Sequence, residues 1–261
     1  MNKRKTAGIL LISAFLLLAV VFGTIFTLQR WDSMKSKDSY AVLEELVKDQ
    51  EDQEEIPEDE ELSEEELKRL EAAAAFEKYG ALYEQNRDFV GWISIEGTRV
   101  NYPVMQTPDD PGYYLKHAFD RTYSDWGVPY IDETCTLGFS KNIVIYGHHM
   151  NDGSMFADLC QYAQEDFYNS HKTVQFDTLS SFGTYEIVAV FRFNTNKDPF
   201  RYNRYVNMNE ERFNVFMKEV RARQLYDNGV GVTFRDELLT LSTCDYYYRN
   251  GRFVVIAKKV V

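Results

Sequence analysis

Cysteine is scarce in this 261-residue chain, and its three thiols, Cys135, Cys160 and Cys244, cannot all pair with one another. None stand in a C-x-x-C spacing, which excludes a thioredoxin-type couple and a cysteine-rich zinc site. Also missing are a Walker loop, a G-x-G-x-x-G turn, an H-E-x-x-H helix and a G-x-S-x-G elbow. Nucleotide, zinc-peptidase and serine-hydrolase chemistry therefore lack their usual frames. The four histidines, His117, His148, His149 and His171, show no metal-ligand spacing. His148 and His149 are adjacent and would point to opposite faces of a strand. Metal binding is thus weakly supported by the sequence, and no cofactor is expected. A basic surplus is absent too. The net charge is −12, and residues 44–66 alone hold 14 acids against one lysine, leaving the rest nearly neutral. Without cations to meet phosphates, nucleic acid is not the expected partner.

The N-terminus carries the one long apolar run. Lys3, Arg4 and Lys5 precede 22 uncharged, mainly apolar residues from Ala7 to Leu28, enough to cross a bilayer core of about 30 Å as a helix. A cleaved signal peptide has a shorter apolar region ended by a small-x-small site. The leading cations favour a cytoplasmic N-terminus. The expected organisation is a cytoplasmic stub (1–6), a transmembrane signal anchor (7–28), an acidic extracellular spacer (29–62) and a folded domain (63–261). The spacer is self-repelling and solvated. Calcium binding there lacks the EF-hand glycine spacing.

The folded part opens with a helix signal. Ser63 followed by Glu66 forms a capping box flanked by Leu62 and Leu67, and the helix is expected to run to about Tyr83. Eight β-like runs follow, near Val90–Ile95, Arg99–Val104, Val128–Ile131, Asn142–Tyr146, Thr173–Phe176, Tyr185–Phe193, Leu238–Thr243 and Arg252–Val260. Helical patches interrupt them near Ser154–Ala163 and Asn209–Arg223, the second with Phe213, Phe216, Met217 and Val220 on one face. Many short strands with few helices predict a mainly β fold, a closed or nearly closed barrel of about 180 residues. No internal repeat is present.

Cys244 ends one apolar run and His148 follows another, at Gly147. A strand-end cysteine is either a small buried hydrophobe or a side chain presented to a cleft, where a histidine would make it a nucleophile with an acid/base partner. Arg252 opens the last run and is either a surface cation at a hairpin or an oxyanion donor.

Thr240-Leu241-Ser242-Thr243-Cys244 matches the TLxTC signature of sortases, the cell-wall cysteine transpeptidases of Gram-positive bacteria. Gly147-His148 resembles the family's histidine segment, and Arg252 just before the final strand completes the set. Class B is resembled in particular. The stretches that carry this are Gly91-Trp92-Ile93, Tyr102-Pro103-Val104, Tyr114-Leu115 leading to His117, Ser154–Leu159, and the long helical insert before the cysteine run.

The resemblance covers about residues 64 to 261. It implies an eight-stranded sortase-type barrel with an N-terminal helix and a helix inserted before the catalytic strand. It implies that Cys244 attacks a threonine carbonyl in the C-terminal sorting signal of a secreted protein. His148 would protonate the leaving amine, and Arg252 would hold the signal and stabilise charge. A peptidoglycan cross-bridge amine or a pilin lysine would resolve the thioacyl enzyme. Ser242 and Thr243 resemble residues of the peptide groove, and class B implies no metal. The alternatives are a thiol peptidase that only hydrolyses and a non-enzymatic surface binding module.

One local signal opposes the arginine. Asn250-Gly251 is a tight-hairpin signature. A strand running straight through Tyr246–Tyr248 into that turn would set Arg252 against Arg249, about 15 Å along the strand from Cys244. The resemblance requires the strand to stop near Cys244. A Cys135–Cys160 disulfide is allowed outside the cytoplasm.

Overall fold

The computed structural model describes residues 3–48 and 63–260. Two compact units result, one up to Val42 and one from Leu43 onward. Helix α1 spans Lys3–Lys48, passing through the predicted span 7–28 and the first part of the expected spacer. The rest of that spacer, 49–62, lies outside the described residues, as do the side chains of 1–17. Among the described residues no helix is long and apolar enough to cross a membrane.

Helix α2, Glu64–Gln85, begins as its capping box dictates. The Ser63 hydroxyl accepts the Glu66 N–H, and the Glu66 carboxylate accepts the Ser63 N–H. Its inner face buries Ala75, Tyr79 and Leu82, and the Tyr79 hydroxyl donates to Asp177 at 2.6 Å.

Eight strands follow: β1 Phe89–Ser94, β2 Asn101–Met105, β3 Tyr130–Ile131, β4 Asn142–Tyr146, β5 Thr173–Thr178, β6 Thr184–Asn194, β7 Leu238–Asp245 and β8 Gly251–Lys259. They close into a barrel in the order β1-β2-β3-β4-β7-β8-β6-β5, with β5 paired back onto β1. The β2–β3 and β4–β7 pairs are parallel and the remainder antiparallel. Alternation along the strands supplies the core: Ile93, Val104, Ile145, Leu239, Leu241, Phe253 and Val255 are all buried. Closure leaves no open sheet edge.

The expected patch near Ser154–Ala163 forms a 3-10 helix, Ala157–Ala163, and a short α3, Glu165–Ser170, follows it. The insert between β6 and β7 carries α4, Glu210–Arg223, capped by Asn209 and packed through Phe213, Phe216, Met217 and Val220. All three cysteines are free thiols, so the permitted Cys135–Cys160 bridge is not formed.

Candidate active site

Strand β7 continues one residue past Cys244 and stops at Asp245, and β8 begins at Gly251. Residues 246–250 form the connecting loop. Asn250 takes a positive φ of 62°, and the Gly251 N–H closes the turn onto the Tyr248 carbonyl at 3.0 Å. A side chain at Gly251 would collide with the Asp245 carbonyl. The loop brings Arg252, not Arg249, directly opposite Cys244. Directly opposed residues present their side chains on one face of the sheet. The straight hairpin suggested by Asn250-Gly251 therefore does not form. The loop spans five residues instead of two.

The histidine arrives from the other neighbour of β7. In the parallel β4–β7 pairing, Tyr146 stands level with Ser242. His148 follows Tyr146 by two residues and Cys244 follows Ser242 by two, so both come at the same end of the β4–β7 ladder. The Gly147 N–H donates to the Ser242 carbonyl at 3.1 Å, and the Thr243 hydroxyl donates to the Gly147 carbonyl at 2.8 Å. Glycine is required at 147 because a Cβ there would sit 2.6 Å from the Phe156 ring. His148 Nε2 lies 2.8 Å from the Leu115 carbonyl oxygen. A carbonyl only accepts, so Nε2 carries the hydrogen and Nδ1 is left for other work.

Beneath this rim the same face carries a polar, aromatic row. Tyr130 of β3 faces Tyr146 of β4 with ring centroids 5.5 Å apart, followed by Ser242 on β7. The Tyr146 hydroxyl donates to Asp132 at 2.7 Å. From the insert, Tyr202 reaches the Ser242 hydroxyl at 2.7 Å, and its ring meets Phe193 of β6, which stands opposite Arg252. Burial pushes the Tyr130 phenol up to about 12, with the Arg252 guanidinium pulling the other way. Tyr202 is raised by the same burial, and the Ser242 hydrogen bond and Arg252 lower it. Both phenols therefore stay neutral at physiological pH and act as hydrogen-bonding groups.

Ser242 and Thr243, expected to line the groove, are each 2% exposed. The Ser242 hydroxyl is engaged by Tyr202 and that of Thr243 by Gly147. Ser242 shares the face of Cys244, whereas Thr243 points to the other one. Cys244, His148 and Arg252 are all partly exposed. No cluster of three or more metal-ligating side chains exists among the described residues.

Sequence reasoning gave no role to His149, Tyr246 and Cys160, which gather behind the Cys244 peptide. It also missed Arg192, whose Nε donates to Asp245 at 2.9 Å and whose guanidinium lies 4.4 Å from the Tyr247 ring centroid. The parallel β4–β7 pairing is the feature that brings His149 there, and composition carries no trace of it.

The sequence profile of the sortase domain matches residues 93–260. Sortase B of Listeria monocytogenes is 36% identical over 182 residues, covering 69% of this chain and 72% of the relative. Among solved structures, a Staphylococcus aureus sortase B–substrate complex superposes with a TM-score of 0.73 at 27% identity, covering 88% of this chain and 98% of that one. A sortase B complexed with triglycine superposes at 0.70 with 27% identity, covering 88% of this chain and all of that one. The closed eight-stranded barrel with its helical insert is that of these structures, and the chain belongs to the sortase family of cysteine transpeptidases, in class B.

Proposed function

We propose that Cys244 is the nucleophile, His148 the proton-transfer group and Arg252 the electrophilic partner of a transpeptidation on C-terminal sorting signals. The observation that supports this reading is the register that sets Cys244 opposite Arg252 and sets Tyr146, two residues before His148, level with Ser242, two residues before Cys244. The Cys244 thiolate adds to the signal's carbonyl carbon, and the developing oxyanion falls beside the Arg252 guanidinium. The C–N bond then breaks, and His148 delivers its proton to the leaving amine. The thioester that remains is attacked by an acceptor amine, which gives its proton to His148 and expels the thiolate. With Nε2–H held by Leu115, Nδ1 is the nitrogen that carries the travelling proton.

Ser242 and Thr243 act on the peptide indirectly. Ser242 with Tyr202 forms the floor below Cys244, and Thr243 ties that floor to the histidine segment. The acceptor is a peptidoglycan cross-bridge amine in preference to a pilin lysine, a choice supported by the similar sortase B that holds triglycine.

The domain works outside the cell on a single-pass anchor at 7–28. The supporting features are the uncharged run itself, its leading cations and the exposed Val20, Phe22, Ile25 and Phe26 along α1. Residues 29–62 hold the barrel off the membrane.

The test is transfer of sorting-signal peptides to triglycine, followed by mass spectrometry. Wild type is expected to give the triglycine adduct, and Cys244→Ala and His148→Ala none, with folding intact by circular dichroism. Hydrolysed product without adduct would establish a peptidase. Activity retained in Cys244→Ala would end the covalent mechanism.

A further inference from the structure

The parallel ladder between β4 and β7 is one backbone donor short at the rim. Gly147 N–H donates to the Ser242 carbonyl. The next carbonyl on that edge of β7 belongs to Cys244, and the backbone donor due opposite it is that of residue 149. By then the chain has turned away. The His148 carbonyl accepts the Phe156 N–H at 2.8 Å, and His149 bridges to Met155. The Cys244 carbonyl is met instead by the side chain of His149, whose Nδ1 lies 3.0 Å away. Since a carbonyl has no hydrogen to give, this Nδ1 is the protonated nitrogen.

The contact is returned. Tyr246, two residues after Cys244, donates its hydroxyl to the His149 carbonyl at 3.0 Å, and the two rings meet at 4.9 Å between centroids. Cys160 closes the group, its Sγ 3.4 Å from His149 Nδ1 and 3.8 Å from the Cys244 carbonyl. Burial pushes the Cys160 thiol up to about 12, with Asp245 adding to the rise and Arg192 opposing it. Cys160 is thus a neutral filler behind the nucleophile and no second thiolate.

We infer that His149 is a positioning residue for the nucleophile: its Nδ1–H supplies the missing rung, clamps the Cys244 peptide, and so fixes the sulfur relative to His148 and Arg252. The inference rests on the assignment of Cys244 as nucleophile proposed above. The His149 contact is to the backbone carbonyl oxygen of Cys244, so its part is to hold the strand end and not to transfer the proton. A displacement near 1 Å at a reacting group costs up to about 100-fold in rate. The loss therefore falls on kcat more than on KM, because the groove floor of Tyr202 and Ser242 is untouched.

The test compares three variants. His149→Asn places an amide N–H near the position of Nδ1, whereas His149→Gln and His149→Ala do not. Cys244 alkylation by iodoacetamide and triglycine transfer are expected to fall about tenfold or more in the Ala and Gln variants, and to return to within about threefold of wild type in the Asn variant. Nitrogen-15 spectra are expected to show neutral His149 as the Nδ1–H tautomer, a readout independent of how the Ala variant folds. Wild-type rates in His149→Ala, no rescue by Asn, or an Nε2–H tautomer would overturn the inference. Loss in His149→Ala as complete as in His148→Ala would overturn it too, by moving proton transfer to His149. Full activity in Cys244→Ala would instead overturn the nucleophile assignment.

Discussion

Cys244 and Arg252 are direct partners across the β7–β8 ladder, flanked on the far side by Phe193 of β6. A guanidinium and a thiol on one face of adjacent strands share an orientation set by backbone hydrogen bonds, not by flexible side-chain reach. Arg252→Ala is expected to lower kcat for triglycine transfer by about 10²- to 10³-fold, the usual cost of removing an oxyanion donor. Arg252→Lys keeps the charge but not the planar fork, and should recover only part. Steady-state kinetics decides; an unchanged kcat in Arg252→Ala would detach the arginine from the chemistry.

Thiol chemistry should be selective. Burial pushes both Cys135 and Cys160 up to about 12, so their thiolate fractions near pH 8 are very small. Cys135 is further enclosed, 3.4 Å from the Val144 nitrogen and 3.6 Å from the Asn142 carbonyl. Folded protein treated with iodoacetamide is expected to gain one label, on Cys244, and three after unfolding. Peptide mapping reads this directly, and labelling of Cys135 in the native state would contradict it.

The floor beneath the nucleophile depends on one buried hydrogen bond, Tyr202 to Ser242 at 2.7 Å. Tyr202→Phe and Ser242→Ala should each destabilise by roughly 1–3 kcal/mol, since each leaves a buried hydroxyl without this partner. The double variant should cost less than the sum, giving a coupling of about 1 kcal/mol in a urea-unfolding cycle. Strict additivity would mean that the two groups do not act as a pair.

The insert is pinned by acid–base chemistry of its own. Arg223 on α4 donates from Nε and Nη2 to Asp198 at 2.7 and 2.8 Å, and its guanidinium lies 4.8 Å from the Phe200 ring centroid. The hydrogen bonds from Arg223 hold the Asp198 carboxyl below the usual range. Its folded value being depressed, the stabilisation is fully present above an unfolded pKa of about 3.9 and disappears as pH falls through the folded value. Asp198→Asn should lose roughly 1–3 kcal/mol at neutral pH and show a smaller drop in stability than wild type between about pH 5 and 2. Parallel acid-unfolding curves for the two proteins would contradict this.

Local signals made much of the fold legible. Ser63 and Glu66 announced α2 because a capping box is complete within four residues, and the eight strands announced themselves as short β-like runs between turn residues. The rim of the site was harder. Whether Arg249 or Arg252 meets Cys244 depends on how residues 246–250 close, and Asn250-Gly251 points by itself to a shorter turn. The hydroxyls of Ser242 and Thr243 have the chemistry of a peptide groove, yet Tyr202 and Gly147 occupy them from segments 40 and 96 residues away. His149 stayed hidden for a like reason. Its function depends on β4 and β7 being parallel neighbours, a pairing that joins residues almost a hundred positions apart.

Intact and tandem mass spectrometry of the enzyme quenched in acid during turnover of a sorting-signal peptide tests the covalent step most directly. A hydroxylamine-labile thioester on Cys244, accumulating without acceptor and discharged by triglycine, is the expected result. A productive turnover with no adduct, or with the acyl group on another residue, would contradict it.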